Sequence, residues 1–180
     1  MRTQAAIAAV LLSLHALGAH AEVKEAAPDH LLIQDSRVVH APPDKLYAAL
    51  IDVAKWWNGE HSYSGDASHL SLKAEADGCF CERWANQSVE HGRVIWAAPG
   101  HLLRLDTALG PLQAMAVQGV LTFTLTPAPE GTALQLEYRV NGSSASGLDK
   151  IAPAVNGVLM EQLERLQRYA DGSKNAPAKP

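Results

Sequence analysis

The sequence predicts an α+β fold in which one curved antiparallel sheet, of about six to seven strands, wraps around a long C-terminal helix. Between Gly147 and Ala170, apolar residues recur every three or four positions, which is the spacing of one helix face. Residues 115–126 and 134–141 instead alternate apolar and polar side chains, which is typical of strands with one buried face. Because a helix of this length gains most of its stability by burying its apolar stripe, the sheet is its expected partner.

The first 21 residues have the features of a secretory signal peptide. Arg2 supplies a positive start, residues 5–17 are mostly apolar, and residues 19–21 read Ala-His-Ala, which fits a cleavage site. We therefore expect cleavage after Ala21 and a periplasmic or secreted protein, with no membrane anchor because the apolar run is short. The chain carries a net charge of −4 and no basic block, which argues against nucleic acid as a partner.

A single domain is expected over residues 31–170. Before it, residues 22–30 are polar and rich in alanine and predict a mobile lead-in, and residues 171–180 predict a disordered tail. Residues 31–40 predict the first strand. At residues 42–44 the sequence Pro-Pro-Asp ends that strand and begins a helix, because proline is tolerated in the first helical turn.

The middle of the chain predicts short helices, a loop and then a series of strands. A helix at residues 45–51 and a second helical piece with Trp56 and Trp57 lead into a loop at residues 58–68 that is rich in Gly, Ser and Asp. The strands that follow are expected at residues 69–74, 79–85, 88–97, 102–107, 115–126 and 134–141. If this sheet wraps around the C-terminal helix, the space between them becomes a pocket.

Four features of this order carry a family resemblance. They are the strand-to-helix opening at residues 39–50, the paired Trp56 and Trp57, the central hairpin at residues 78–94, and the C-terminal helix. Together they resemble the helix-grip superfamily, also called START-like or SRPBCC. The most similar branch is the bacterial one related to polyketide cyclase/dehydratases and to the activator of heat-shock-protein ATPase. The resemblance implies a deep apolar cavity for a lipid, a polyketide-like or another hydrophobic or aromatic molecule, and it supplies no catalytic motif.

Glu82, His91 and Arg93 are the candidate catalytic or polar binding residues. A two-residue turn at Asn86-Gln87 would place Glu82 opposite His91 and Arg93 on the same sheet face. On an inward face the three side chains could orient a ligand or act as an acid–base pair, because a histidine beside a carboxylate titrates near neutrality. On an outer face, reached by a register slip of one residue, the same charges form a salt-bridge ladder. The sequence leaves both interpretations open.

Cys79 and Cys81 are the two cysteines of the chain, and they flank Phe80 on one side of a predicted strand. Alternate Cα atoms along a strand are about 6.5 Å apart, near the upper limit for a disulfide. A disulfide, a redox pair and two reduced thiols are therefore all open. Because the Cys-x-Cys pair has no further ligand pair nearby, we expect no metal site, and no motif indicates a cofactor.

The expected pocket has a mouth and a lining. Four residues of the 58–68 loop, namely Glu60, His61, Tyr63 and Asp66, are possible rim groups, although an ordinary connecting loop would read the same way. Ligand contacts are expected from aromatic and apolar side chains of the strands, the long helix and the paired tryptophans. They are Trp57, Phe80, Trp84, Met115, Val117, Phe123, Tyr138, Val155 and Leu159.

These observations favour an exported, cofactor-free protein that binds a hydrophobic small molecule between sheet and helix. The alternative is a cofactor-independent cyclase, dehydratase or hydrolase that uses Glu82, His91 and Arg93. A protein-interaction module like the heat-shock-protein ATPase activator domain is disfavoured. Its partner is cytosolic, whereas this chain begins with an export signal.

Overall fold

The computed structural model of the protein describes residues 22–172, and in this part the chain forms eight strands and two α-helices. In chain order these are β1 (Glu22–Ala27), β2 (His30–Val39), α1 (Pro43–Ile51), β3 (Leu70–Leu72), β4 (Cys79–Trp84), β5 (Gln87–Ala98), β6 (Leu102–Asp106), β7 (Gln118–Ala128), β8 (Gly131–Asn141) and α2 (Leu148–Ala170). Short 3₁₀ turns occupy the connections at Val53–Lys55, Gly59–His61, Ala67–His69 and Gly110–Met115.

The eight strands make one antiparallel sheet in the order β1-β2-β8-β7-β6-β5-β4-β3. Neighbours in the chain are neighbours in the sheet, except that β2 pairs with β8 while α1 and the 3₁₀ turns lead to the opposite edge at β3. The α+β class, the curved sheet and the long C-terminal helix are confirmed, with one strand more than the upper expected number.

α2 packs against the sheet through one face and closes the core. Its buried apolar side chains recur at helical spacing, and they are Leu148, Ala152, Val155, Leu159, Leu163 and Leu166. The helix contacts β1, β2 and α1, so it lies nearest the first edge of the sheet. Farther from that edge, connecting loops lie over the sheet, and the cavity described below is found there.

The additional strand is β1, at residues 22–27, where the sequence predicts a mobile lead-in. This segment pairs antiparallel with β2 from Glu22 opposite Gln34 to Ala27 opposite His30, and Val23 packs against the core. A strand forms because the free edge of β2 offers backbone hydrogen bonds that do not depend on side-chain polarity. The prediction of a mobile segment is therefore wrong for these residues.

The chain ends lie partly outside the described residues. The expected signal peptide at residues 1–21 and the tail from residue 173 onward fall outside them. Asp171 lies within the predicted tail, yet its carboxylate accepts a hydrogen bond of 2.8 Å from the backbone N–H of His40.

The turn of the central hairpin is one residue earlier than the sequence predicts. Trp84 pairs with Gln87, so Ala85 and Asn86 form the two-residue turn, and Ala85 has a φ of +46°. Glu82 consequently pairs with Val89 rather than with His91. Positive φ is uncommon for alanine, which is why composition pointed to Asn86-Gln87 instead.

Two β-bulges in β5 change which side chains face the core. Phe80 pairs with Gly92 while the next residue, Cys81, pairs with Glu90, so His91 is an extra residue without a partner. A second irregularity between Val94 and Trp96 repeats the effect. Because each bulge shifts the alternation by one residue, a face predicted from period-two spacing cannot continue along the whole strand.

Candidate functional site

A cavity of about 390 Å³ lies between α2, the loop after α1 and the middle of β5. This volume is within the usual range of small-molecule pockets. Its lining comes from four parts of the chain and is mostly apolar. The residues are Trp57, Glu60, His61, Ser62 and Tyr63 from the loop, His91 from β5, Leu109, Gly110 and Pro111 from the connection after β6, and Ile151, Ala154, Val155, Val158 and Leu159 from α2.

Glu82 and His91 form a buried pair at the wall of this cavity. Oε2 of Glu82 lies 2.9 Å from Nε2 of His91, with exposed fractions of 0% and 6% for the two residues. The same carboxylate accepts hydrogen bonds from the backbone N–H groups of Tyr63 at 3.0 Å and Ser64 at 2.6 Å. An ionised carboxylate only accepts, so Nε2 of His91 carries a hydrogen and Nδ1 of the neutral ring carries a lone pair.

The pair forms despite the earlier turn because the changed pairing keeps Glu82 and His91 on one face of the sheet. Glu82 and Val89 are paired, and His91 lies two residues beyond Val89, so Glu82 and His91 project from the same face. The ring of His91 packs 4.9 Å from the ring of Phe80 and 5.7 Å from that of Tyr63, measured between centroids. These contacts fix the imidazole against the cavity wall.

Burial and hydrogen bonding shift the two pKa values of the pair. Burial alone would raise the pKa of Glu82, but hydrogen bonds from Ser64, Tyr63 and His91 outweigh it and hold the pKa below its ordinary value. Burial lowers the pKa of His91, and the neighbouring charge of Glu82 only partly offsets this effect. Near neutral pH the pair is therefore a carboxylate beside an uncharged imidazole.

The backbone around His91 is held by the connection after β6. Oγ1 of Thr107 donates a hydrogen bond of 2.5 Å to the carbonyl oxygen of His91. A Cβ on Gly92 would lie 2.7 Å from Cβ of Thr107, so the close approach requires glycine. The hydroxyl of Tyr138 donates to the carbonyl of Thr107 and accepts from the N–H of Leu109, both at 3.1 Å, and thereby positions the segment that lines the cavity.

Side-chain hydrogen bonds tie the loop over the cavity to its neighbours. Tyr63 Oη lies 3.1 Å from both the carbonyl oxygen of Gly110 and Oε1 of Gln113. On the opposite side, Nε2 of His61 lies 2.9 Å from the Glu161 carboxylate of α2. The loop is thus attached to the connection after β6 at one end of the cavity and to α2 at the other.

Three of the nine predicted ligand contacts, Trp57, Val155 and Leu159, line the cavity. Phe80 lies behind the wall, with its ring 5.7 Å from that of Trp57. Phe123 and Tyr138 are core side chains of β7 and β8. The ligand-binding role of all nine residues is still a prediction.

The other predicted contacts lie away from the cavity. Trp84 is half-buried at the end of β4, and Met115 is half-buried at the end of a 3₁₀ turn. Val117 borders a shallow polar depression beside Gln118. Apolarity and strand position did not distinguish the cavity wall from the rest of the core, since both are apolar.

Arg93 does not lie with Glu82 and His91. The predicted three-residue cluster is therefore wrong for Arg93. The bulge at His91 turns Arg93 to the outer face, where its guanidinium lies 2.6 Å from the carboxylate of Glu90. Both side chains of that pair are 47% exposed, so the pair is of the surface type. The hairpin therefore contains both predicted arrangements: Glu82 and His91 pair on the inner face, and Glu90 and Arg93 pair on the outer face.

The predicted rim groups divide in a similar way. Glu60, His61 and Tyr63 line the cavity. Asp66 instead caps the 3₁₀ turn Ala67–His69, accepting a hydrogen bond of 2.8 Å from the N–H of Ser68. The side chain of Asp66 thus caps a turn and is not among the residues that line the cavity.

Cys79 and Cys81 form a disulfide, with their Cα atoms 5.3 Å apart. Of the three states that the sequence left open, the structure thus contains the bonded pair. Within residues 22–172, no group of three or more His, Cys, Asp or Glu side chains is arranged to hold a metal ion. The helices in that range are also too short or too polar to cross a membrane.

Two parts of the cavity lining lie outside the ligand contacts that the sequence predicts. The segment Leu109-Gly110-Pro111 is apolar, yet it falls between predicted strands and gives no periodic signal. On α2, Ile151 and Val158 are spaced three or four residues from Val155 and share its face. That spacing could have extended the predicted site along the helix.

The architecture is similar to that of several solved proteins. The Aha1 dimer from Colwellia psychrerythraea has a TM-score of 0.59 and 16% sequence identity, over 80% of this chain and 98% of that chain. CalU16 from Micromonospora echinospora has a TM-score of 0.52 and 18% identity, over 83% and 76%. A protein from Mesorhizobium loti has a TM-score of 0.58 and 21% identity, over 79% and 98%.

No protein-family model matches the sequence, and no curated protein matches it either. At these identities the structural likeness defines the fold and leaves the activity open. The Aha1 and CalU16 structures are both SRPBCC-type helix-grip folds, so the resemblance read from the sequence is confirmed at the level of the fold.

Proposed function

We propose that this protein is exported and binds a hydrophobic small molecule in the cavity beside α2. The observation that carries the proposal is the cavity itself, about 390 Å³ in volume and bordered by apolar side chains of α2, by Trp57 and by the 109–111 connection. An apolar hollow with a few converging polar groups is the usual form of a ligand pocket. Export is inferred from residues 1–21 alone.

The helix side of the cavity supports an apolar ligand most strongly. Ile151, Ala154, Val155, Val158 and Leu159 present a hydrocarbon surface without a charged group. Burying apolar ligand surface there contributes roughly 25 cal/mol per Å². Trp57 also lines the cavity, and its indole N–H donates a hydrogen bond of 3.0 Å to the carbonyl oxygen of His61 in the loop.

A fluorescence titration with N-phenyl-1-naphthylamine, a neutral apolar probe, tests this function. Wild-type protein is expected to bind it in the micromolar range with enhanced emission. Ala154→Trp places an indole in the cavity and should weaken binding at least about tenfold. The matched control is Ala48→Trp on the exposed side of α1, which should bind like wild type. Equal binding by both variants, or none by wild type, would reject the proposal.

The buried Glu82–His91 pair favours a second candidate, a cofactor-independent enzyme. In it, Nδ1 of His91 would accept a proton from a substrate held in the cavity, and Glu82 would stabilise the resulting imidazolium. A turnover assay on hydroxylated aromatic or ester substrates distinguishes the two candidates. Catalysis predicts product formation by wild type and its loss in His91→Phe while the naphthylamine probe still binds. Probe binding without turnover leaves the binding protein as the function.

A further inference from the structure

The polar side chains of the cavity share a property that restricts its ligand. Those that carry an N–H or O–H hydrogen already donate it to a group of the protein. Trp57 donates to the carbonyl of His61, His61 to the Glu161 carboxylate, and Ser62 to the carbonyl of Gly59. Tyr63 donates to the carbonyl of Gly110 or to Oε1 of Gln113, and His91 donates to the Glu82 carboxylate. The hydrogen-bonding positions that remain free on these side chains are therefore acceptors.

His91 offers the most deeply placed of these acceptors. It is 6% exposed, lines the cavity and has Nε2 already bonded to Glu82. Within residues 22–172 its Nδ1 has no hydrogen-bond partner, and it is not one of the side-chain atoms that are both buried and unpartnered, so it is reachable from the cavity. A ligand that displaces solvent from this acceptor loses a hydrogen bond unless it supplies a donor of its own.

The charges around the cavity disfavour an anion. Among the described lining residues there is no lysine or arginine, whereas Glu60 lies at the mouth and Glu82 lies behind His91. A ligand carboxylate would face the lone pair of Nδ1 without a cation to pair with. A full charge of either sign would also have to leave water among Trp57, Val155 and Leu159.

We propose that the ligand is an uncharged, mainly apolar molecule that ends in a hydroxyl group, and that this hydroxyl donates its hydrogen to Nδ1 of His91. The inference rests on the proposed ligand-binding function and narrows it to one chemical class, the hydrophobic alcohols and phenols. It predicts discrimination between molecules of one shape that differ only in the polar end. A hydrocarbon body alone would not produce such discrimination.

Calorimetric titration with three matched probes tests the class, at about pH 8, where histidine is neutral and phenols keep their hydrogen. The probes are 4-hexylphenol, 4-hexylanisole, which lacks the donor, and 4-hexylbenzoic acid, which is an anion. Wild type should bind the phenol about five- to tenfold more tightly than the anisole. Against the benzoate, the preference should be tenfold or greater.

Two substitutions assign the preference to one residue. In His91→Phe the ratio of phenol to anisole affinity should fall to about one, whereas His101→Phe, at an exposed histidine outside the cavity, should keep the wild-type ratio. Thermal unfolding of both variants checks that they fold. If His91→Phe does not fold, the wild-type probe series and the imidazole ¹⁵N shift of His91 on adding the phenol decide the question.

The outcomes separate this inference from the proposed function. Equal affinity for phenol and anisole, or tightest binding of the benzoate, would overturn the hydroxyl proposal and leave ligand binding in place. An unchanged ratio in His91→Phe would also overturn it, because another group would then hold the hydroxyl. No binding of any probe to wild type would reject both.

Discussion

Oε2 of Glu82 lies 2.9 Å from Nε2 of His91, and this buried contact joins the neighbouring strands β4 and β5 beside the cavity. The carboxylate also accepts hydrogen bonds from the N–H groups of Tyr63 and Ser64, so one side chain holds both the imidazole and the loop. The contact has two roles. It positions the cavity wall, and it determines which nitrogen of His91 carries the hydrogen.

Replacing Glu82 with glutamine should destabilise the protein by about 2–4 kcal/mol. The amide NH₂ would face a group that donates to the carboxylate in wild type, leaving a buried donor unpaired. Glu90→Gln is the matched control, since Glu90 forms an exposed pair with Arg93, and its cost should stay within about 0.5 kcal/mol. Urea unfolding measures both, and equal costs would mean that the buried contact contributes little.

Acid should remove the stabilising contribution of this pair in two steps. His91 has a folded pKa below its ordinary value, so the unfolded chain takes up its proton first and stability starts to fall below about pH 6.5. Glu82 also has a lowered folded pKa, so its contribution is present above about pH 4.3 and is lost as pH falls further.

The first step is isolated by comparing wild type with His91→Phe across pH 8 to about pH 5.5 by urea unfolding. The stability advantage of wild type over the variant should shrink as the pH falls, because only wild type contains the buried histidine. The other histidines are present in both proteins, so the comparison isolates His91. An advantage that grows on acidification would mean that the pKa of His91 is raised in the folded state.

Tyr138→Phe should cost about 1–3 kcal/mol and weaken ligand binding, although Tyr138 does not line the cavity. Its hydroxyl positions the segment from Thr107 to Leu109, and without it a buried carbonyl and a partly buried N–H lose their partner. Tyr169→Phe is the control, because its hydroxyl bonds the carboxylate of Asp52 at the surface. Thermal unfolding and a probe titration measure the two effects, and a Tyr138→Phe variant that matches the control would contradict this role.

The long helix and the β7–β8 hairpin could be predicted because their side-chain periods are unbroken. α2 follows the apolar spacing of residues 148–170, and Leu134, Leu136 and Tyr138 alternate with polar residues along β8. These periods reflect burial on one face, which is a property of each segment alone. The family resemblance then added the expectation of a cavity between sheet and helix.

The geometry of the site depends on β-bulges and strand edges, which side-chain periodicity and composition do not reveal. The bulge at His91 sends Arg93 outward, and a second one leaves Ile95 and Trp96 both about half exposed. β1 forms because a neighbouring strand edge is free, which is a tertiary effect. The sequence could therefore suggest Glu82 and His91 as partners while missing the geometry that separates them from Arg93.

The most direct test of the central claim is a map of amide and indole chemical-shift changes when 4-hexylphenol is added to ¹⁵N-labelled protein. The account predicts that the largest changes fall on Trp57, Leu109 and residues 151–159 of α2, which surround the cavity. Changes centred on the exposed outer face near Trp96, with α2 unaffected, would contradict it.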